Sequence, residues 1–348
     1  MMPFLSVIVP CRNEARFVER CLRSVLASDY PSGRMEVLVV DGQSDDGTRE
    51  LIQRFSGVDS RVRLLENARR DTPSALNLGI AAAAGDVVAR IDAHAAVAPD
   101  YFTRCVNALE FHGADCVGGA MRTLPRDAGC FAEPIVSALS HWFGVGNSRF
   151  RTGASEPRLV DTVFGACWRR DVFERVGMFH PDLLRSQDME FSLRLKAGGG
   201  KTLLLPEAVV EYYARSRLLD FTKHNFINGR WAVLPFLYSP VIPVSMRHLI
   251  PLLFTAALAA GAALLRWSPW PLAAVAIPYV LLNLAVSWRL AAHSRRWAFV
   301  VSLPVVFALL HLGYGAGSLA GSFEACWVTL RRLPNPDHPK ETPCLPRP

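Results

Sequence analysis

A chain of 348 residues, half of them hydrophobic and carrying a net charge of +7, has ample material for one large or two ordinary domains. Its 38 Lys and Arg are scattered rather than striped and accompany no nucleic-acid motif. That pattern excludes a nucleic-acid reader and leaves basic residues beside apolar segments to face anionic lipid. Eight cysteines form no CxxC pair and no zinc spacing, so they read as reduced structural thiols of a cytoplasmic polar region. Hydrophobicity is uneven: residues 1–230 alternate charged and apolar positions, whereas residues 246–321 are nearly uncharged. The first ten residues lack the basic start and long apolar run of a signal peptide.

Leu5-Ser6-Val7-Ile8-Val9-Pro10 is a strand ended by proline. Asn13 and Glu14 then open a helix whose Phe17, Val18, Cys21, Leu22, Val25 and Leu26 recur at helical spacing. Residues 35–41 form a second strand ending on Asp41, and after a polar turn Thr48 starts a helix carrying Leu51, Ile52 and Phe55. A short strand at 62–65 leads to Thr72-Pro73, an N-cap with proline at the first helical position. That helix runs to about Ala84 and Gly85 ends it. The apolar run from Val87 to Ile91 is an inner strand of a parallel sheet, stopping at Asp92 with His94 two residues on.

Strands and helices alternating in this way are a doubly wound arrangement with right-handed crossovers. Asp41 and Asp92 then share one rim, the edge where open sheets bind ligands. No dinucleotide-binding glycine fingerprint follows the first strand and no P-loop pattern occurs. Oxygen and imidazole two residues apart can share a divalent cation, and a cation there can hold a diphosphate. The same two residues equally fit a turn cap and a loop histidine.

Residues 101–111 read as a helix, 116–121 as a strand and 124–158 as a Gly- and Pro-rich loop over the site. Residues 201–205 and 209–212 read as closing strands. At Ser186-Gln187-Asp188-Met189-Glu190 another helix begins, with Phe191 and Leu195 on one face. Asp188 and Glu190 fall in its first turn, where acids complement the helix dipole, and Arg194 stands one turn beyond Glu190.

Several of these segments together resemble the family 2 glycosyltransferases of GT-A fold. They are Val7-Ile8-Val9-Pro10-Cys11-Arg12-Asn13-Glu14, Val39-Val40-Asp41-Gly42-Gln43-Ser44-Asp45-Asp46-Gly47-Thr48, Ala75-Leu76-Asn77-Leu78-Gly79 and Arg90-Ile91-Asp92-Ala93-His94. The Asp-Ala-His-Ala form is similar to the succinoglycan-type subgroup. The resemblance implies that Pro10, Arg12, Glu14 and Asp41 hold a nucleotide, the Asp41 carboxylate accepting from the N–H of the base. Asp92 takes the first position of the family's Asp-X-Asp motif, near ribose and metal, and His94 replaces the second aspartate, so Asp92 and His94 are the metal candidates for Mg²⁺ or Mn²⁺. Asp188 takes the place of the catalytic base, with Gln187 where the family has glutamate and Glu190 behind it. Residues 161–179 resemble the family's acceptor-side segment, and Arg230-Trp231 match part of a motif that meets diphosphate and acceptor. Arg230 and Trp231 equally fit a membrane-interface anchor.

Residues 231–245, with Pro235, Pro240 and Pro243, read as a broken interfacial segment. Three apolar stretches follow, 249–265, 271–290 and 298–321, each near the ~20 residues needed to cross a bilayer. Trp267, Trp270, Trp288 and Trp297 stand at their edges. Arg247, Arg289, Arg295 and Arg296 place their loops inside, which would leave Arg331 and Arg332 outside against the usual bias. A re-entrant last stretch, an inserted proline-rich segment or an overridden bias each resolves this. Gly313, Gly315, Gly317 and Gly321 recur at close-packing spacing, and residues 334–348 read as a disordered tail.

The expected architecture is an α/β GT-A domain with a doubly wound mixed sheet over residues 1–215, an interfacial linker at 216–245, an α-helical transmembrane region at 246–330 and a tail. The expected function is a membrane-bound inverting glycosyltransferase of bacterial exopolysaccharide synthesis, in the cytoplasmic membrane with its catalytic domain on the cytoplasmic side. It would move a sugar, taken as glucose, from a UDP-sugar to a lipid-linked or growing saccharide. A sugar nucleotidyltransferase would show a glycine-rich first loop, and a non-catalytic scaffold of a polysaccharide-assembly complex would tolerate loss of Asp188.

Overall fold

The computed structural model describes residues 2–238 and 246–332. The parallel half of a mixed sheet comes first. It comprises β1 (Leu5–Cys11), α1 (Val18–Leu26), β2 (Met35–Asp41), α2 (Thr48–Val58), β3 (Val62–Glu66), α3 (Thr72–Ala82) and β4 (Val87–Arg90). The second half holds β5 (Ala95–Val97), α4 (Tyr101–Phe111), β6 (Cys116–Pro125), α5 (Ala132–Leu139), α6 (Trp142–Val145), α7 (Arg149–Thr152), β7 (Arg158–Leu159), β8 (Phe164–Arg169), α8 (Asp171–Val176), α9 (Gln187–Ala197) and β9 (Thr202–Ala214). After α10 (Leu218–Val233) come α11 (Met246–Ala263), α12 (Trp270–Ser294) and α13 (Phe299–Arg332).

The strand order is β3-β2-β1-β4-β8-β6-β9-β5, with β7 added on β9. β3, β2, β1 and β4 are parallel, and β8 enters antiparallel between β4 and β6. β1 and β2 are buried on both faces, which is why they read as unbroken Val, Leu and Ile runs. Cys11 pairs with Asp41, and Ile8 with Arg90, so the carboxyl ends of β1, β2 and β4 form one rim.

Several elements differ from their sequence reading. The first helix begins at Val18, because Asn13 takes a left-handed turn (φ 55°) and is spent on loop contacts. The cap of α3 is Asp71, whose side chain accepts from the Ser74 N–H at 2.8 Å, not Thr72. The two closing strands are one strand, β9, with a register shift where it passes Gly119 and Ala120 of β6. The 124–158 stretch, read as a loop, carries three short helices between irregular segments. Ile135 and Ala138 of α5 are buried in one cluster with Phe221, Leu303 and Phe307, so α5 packs on α10 and α13.

Among the described residues three helical segments are long and apolar enough to cross a membrane: His248–Arg266, Trp270–Ser294 and Phe299–Arg331. Glycines decide how α13 packs. A Cβ at Gly317 would sit 1.9 Å from the Phe226 carbonyl oxygen, and one at Gly321 would sit 2.5 Å from that of Arg230, so α10 and α13 touch backbone to backbone. Gly315, on another face, meets Pro251 and Thr255 of α11. Of the 231–245 segment, Trp231 to Val233 finish α10 and Leu234–Leu237 form a 3₁₀ turn. Residues 239–245 and the expected tail at 334–348 lie outside the described residues, as does the side chain of Arg247.

Candidate active site

Two loops at the rim are stitched to each other. Asn13 N–H donates to Ser44 Oγ, Asp45 N–H to Asn13 Oδ1, Glu14 N–H to Thr48 Oγ1 and Ala15 N–H to Asp46. Gln43 and Gly47 adopt positive φ to make the bend. Asp41 is the anchor beneath. It is fully buried, its carboxylate accepts from the Ser44 N–H and, at 2.5 Å, from the Ser44 hydroxyl, and Arg49 stands 3.3 Å away.

Above this floor opens a cavity of about 190 Å³ whose lining includes Pro10, Arg12, Glu14, Asp92 and His94. Asp41 does not line it. Gly42, Asn67, Arg70, Asp71, Thr72 and Arg90 do. Arg70, in a left-handed conformation, donates to Gln43 at 2.7 Å, and Asn67 donates to the Asp71 carbonyl, so the wall opposite the β1 loop is rigidly built.

Arg90 joins the cavity to α9. Its Nε and Nη2 lie 3.0 and 2.9 Å from Asp92 Oδ1, and its Nη1 bonds Asp188 Oδ1. One guanidinium thus holds two carboxylates that are 98 and 2 residues away from it in the chain. Their environments separate them. Burial raises Asp92, but Arg90 and then His94 outweigh it and hold the carboxyl below its ordinary range. Burial raises Asp188 too; there the Asp92 carboxylate adds to it, and Arg90 fails to cancel the rise. Arg90 itself is held more firmly protonated by Asp188 and Asp92, against its burial.

His94 stands with Nδ1 3.0 Å from Glu14 Oε1, while Arg126 grips Glu14 Oε2 at 2.6 Å. When the imidazole is neutral, a carboxylate on Nδ1–H selects the tautomer whose Nε2 carries the lone pair, the arrangement that metal-ligating histidines use. Asp92 keeps Oδ2 outside its contacts with Arg90. Two such ligands suit a small hard cation completed by substrate phosphates. Among the described residues there is no cluster of three His, Cys, Asp or Glu side chains that could form an all-protein cage.

The remaining expected residues are less central. Glu190 is buried behind Asp188 and paired with Arg194 at 2.6 and 2.9 Å; Arg194 also donates to the carbonyls of Val176 and Met178. Arg230 forms a two-point pair with Glu324 of α13, at 2.7 and 2.8 Å. Trp231 offers its carbonyl to Ser186 Oγ at 2.8 Å, which ties the start of α9 to the end of α10. The structure therefore assembles Pro10, Arg12, Glu14, Asp92, His94 and Asp188, and directs Arg230 to a helix–helix contact.

Sequence reading missed Arg90, although a guanidinium closing an apolar strand is itself a signal. It also passed over a basic group at α10. Arg185 Nη1 donates to Asn228 Oδ1 at 2.7 Å and lies 3.4 Å from His224 Nδ1, while Arg215 Nη1 lies 2.6 Å from the same nitrogen. Burial pushes His224 down to about 3, helped by Arg215, Arg185 and Arg151, so the imidazole is a neutral acceptor. These side chains come from four separate elements, and no local pattern joins them.

A mixed sheet with a parallel nucleotide-type half, and acids gathered at its carboxyl rim, defines a glycosyltransferase of GT-A fold. The chain belongs to glycosyl transferase family 2, whose model matches residues 6–177. It is similar to the succinoglycan biosynthesis protein ExoA of Rhizobium meliloti, 31% identical over 265 residues, covering 75% of this chain and 78% of that protein. It is also similar to the glycosyltransferase AglE of Haloferax volcanii, 31% identical over 230 residues, covering 66% and 73% respectively. Among solved structures, the mannosyltransferase PcManGT of Pyrobaculum calidifontis, in complex with GDP-Man and Mn²⁺, superposes with a TM-score of 0.59. That likeness, at 21% identity over 93% of this chain and 88% of the other, is one of fold.

Proposed function

We propose that this protein is a membrane-bound, inverting glycosyltransferase that moves a sugar from a UDP-sugar to a lipid-linked saccharide of a bacterial exopolysaccharide, at the cytoplasmic face of the membrane. The nucleotide occupies the 190 Å³ cavity between the β1 loop and the wall around Arg70. Asp41 contributes from beneath, holding the loop of Gln43 in place, because its own carboxylate is closed by Ser44 and Arg49. Arg12 and Arg70 supply positive charge along the cavity. Asp92 and His94 would hold Mg²⁺ or Mn²⁺, which when bound neutralises charge on the departing diphosphate.

Asp188 is the general base. An acceptor hydroxyl has a pKa far above neutrality and needs a carboxylate within hydrogen-bond reach as it attacks. Burial and the neighbouring Asp92 carboxylate push Asp188 upward, which strengthens its ionised form as a base. The hydroxyl proton passes to Asp188, the new bond forms to the anomeric carbon, and the bond to the diphosphate breaks on the opposite face. A single displacement of this kind inverts the centre.

The observation that carries the reading is the Arg90 bridge, which sets the donor-side carboxylate and the base on one guanidinium. The three apolar helices and the similarity to ExoA support the membrane setting and the polysaccharide class. The test supplies detergent-solubilised protein with a panel of labelled sugar nucleotides, UDP-glucose among them, and lipid extract, with and without Mn²⁺ or Mg²⁺. Asp188→Asn should lower transfer by about 10²–10⁴-fold with nucleotide binding retained. Undiminished transfer by that variant would favour a scaffold role and defeat the assignment.

A further inference from the structure

We propose that Arg151, Arg185 and Arg215, gathered around His224 and Asn228, bind the phosphate or diphosphate that joins the saccharide acceptor to its lipid. This rests on the transfer reading above and adds a second anion site to it. Four separate pieces of the fold build the cluster: α7, the turn ahead of α9, the turn after β9, and α10. His224 Nδ1 receives Arg215 at 2.6 Å, and Asn228 receives Arg185 at 2.7 Å. The Arg151 guanidinium stands 5.5 Å over the ring of Tyr212, whose edge meets His94 at 5.2 Å. The cluster therefore adjoins the cavity wall without lining the cavity.

Arg185 and Arg215 are held in a specific way. The half-buried Arg90, Arg126 and Arg194 each have a carboxylate. No ion pair joins Arg185 or Arg215 to a carboxylate among the described residues. They are oriented instead by neutral acceptors, an amide and an imidazole. Arg185 is correspondingly destabilised in its charged form, by burial first and by Arg215 second. Cations held together by neutral groups are preorganised for a multivalent anion.

Position selects which anion. Arg185 precedes the base Asp188 by three residues and bonds Asn228 of α10. His224 and Asn228 belong to the helix that packs backbone to backbone on apolar α13 through Gly317 and Gly321. An anion there would be held by the turn that leads into the base's helix and by the helix that packs on α13. A lipid phosphate fits that place, whereas the donor diphosphate belongs in the cavity that these residues do not line.

The test uses the full chain in phosphatidylcholine nanodiscs, with farnesyl diphosphate as the lipid-phosphate probe, farnesol as its uncharged control and UDP as the donor-side probe. Arg185→Gln/Arg215→Gln should weaken farnesyl diphosphate by about tenfold for each charge-assisted bond removed, leave farnesol unchanged and leave UDP affinity unchanged. If the double variant loses both ligands, Arg215→Gln alone decides, since Arg215 is exposed on its turn. Unchanged farnesyl diphosphate affinity, or a matching loss of UDP affinity in Arg215→Gln, overturns the proposal. So does equal competition by phosphatidylglycerol, which would mark a general lipid patch. An inactive wild-type enzyme or a fully active Asp188→Asn enzyme would sink the transfer reading instead, and neither outcome moves this binding measurement.

Discussion

Replacing Arg90 by methionine, which keeps length and removes charge, tests the bridge between Asp92 and Asp188. Breaking a fully buried pair by deleting one partner costs about 3–5 kcal/mol, and an exposed pair is worth about 0–1 kcal/mol. Here the side chains of Arg90, Asp92 and Asp188 are 13%, 19% and 43% exposed, so solvent screens the Asp188 half while the Asp92 half is largely desolvated. An intermediate loss of about 2 kcal/mol follows, or a fall of about 4–8 °C in Tm for a domain of this size. The loss has a pH signature. Asp92, depressed in the folded protein, stabilises it above the ordinary carboxylate range, and that contribution is lost as pH falls through its folded value. Asp188, raised, acts the other way: its contribution is present at acid pH and lost as pH rises through its folded value. Without Arg90 both carboxyls climb, so the variant is penalised most at neutrality and relieved as they protonate. Thermal unfolding of purified protein from pH 7 down to about pH 4.5, near the carboxylate range, should show the Tm deficit shrinking. A deficit that stays constant with pH, or no deficit at pH 7, refutes the argument.

Glu190→Ala should destabilise by about 3 kcal/mol, because it strands the Arg194 guanidinium that straps α9 to the carbonyls of Val176 and Met178; chemical denaturation would measure it. Asp71→Ala removes the cap of α3 and should cost about 1 kcal/mol, with weakened nucleotide binding because Asp71 also lines the cavity. Gly317→Val forces a side chain where the Phe226 carbonyl stands 1.9 Å from the Cβ position, so α10 must separate from α13. Limited proteolysis should then cut between the sheet domain and the apolar helices more readily than in the wild type, while UDP binding persists.

The sequence alone determined the parallel half of the fold. Buried strands must be continuous apolar runs and amphipathic helices must repeat at 3.6 residues, so β1, β2, β4 and their crossovers were legible from local pattern. The same runs announced Asp41 and Asp92 on one rim, because parallel strands present their carboxyl ends together. Asp188 was legible through its resemblance and its place in the first turn of α9. Composition likewise marked the three long apolar helices.

What only the tertiary structure decided was the partner of each charged group, since a charge meets its counter-ion across distances that no sequence period encodes. Asp41 sits on the expected rim yet is sealed by Ser44 and Arg49. Arg230 lies in the expected motif yet is committed to Glu324, 94 residues away. Arg90, one side chain at the end of a strand, gathers Asp92 and Asp188 because the strand and α9 converge there. Within the 124–158 stretch, α5 buries Ile135 and Ala138 in one cluster with Leu303 and Phe307 of α13, a contact that no local pattern announces. Periodicity fixes which face of an element is buried, and packing fixes what that face meets.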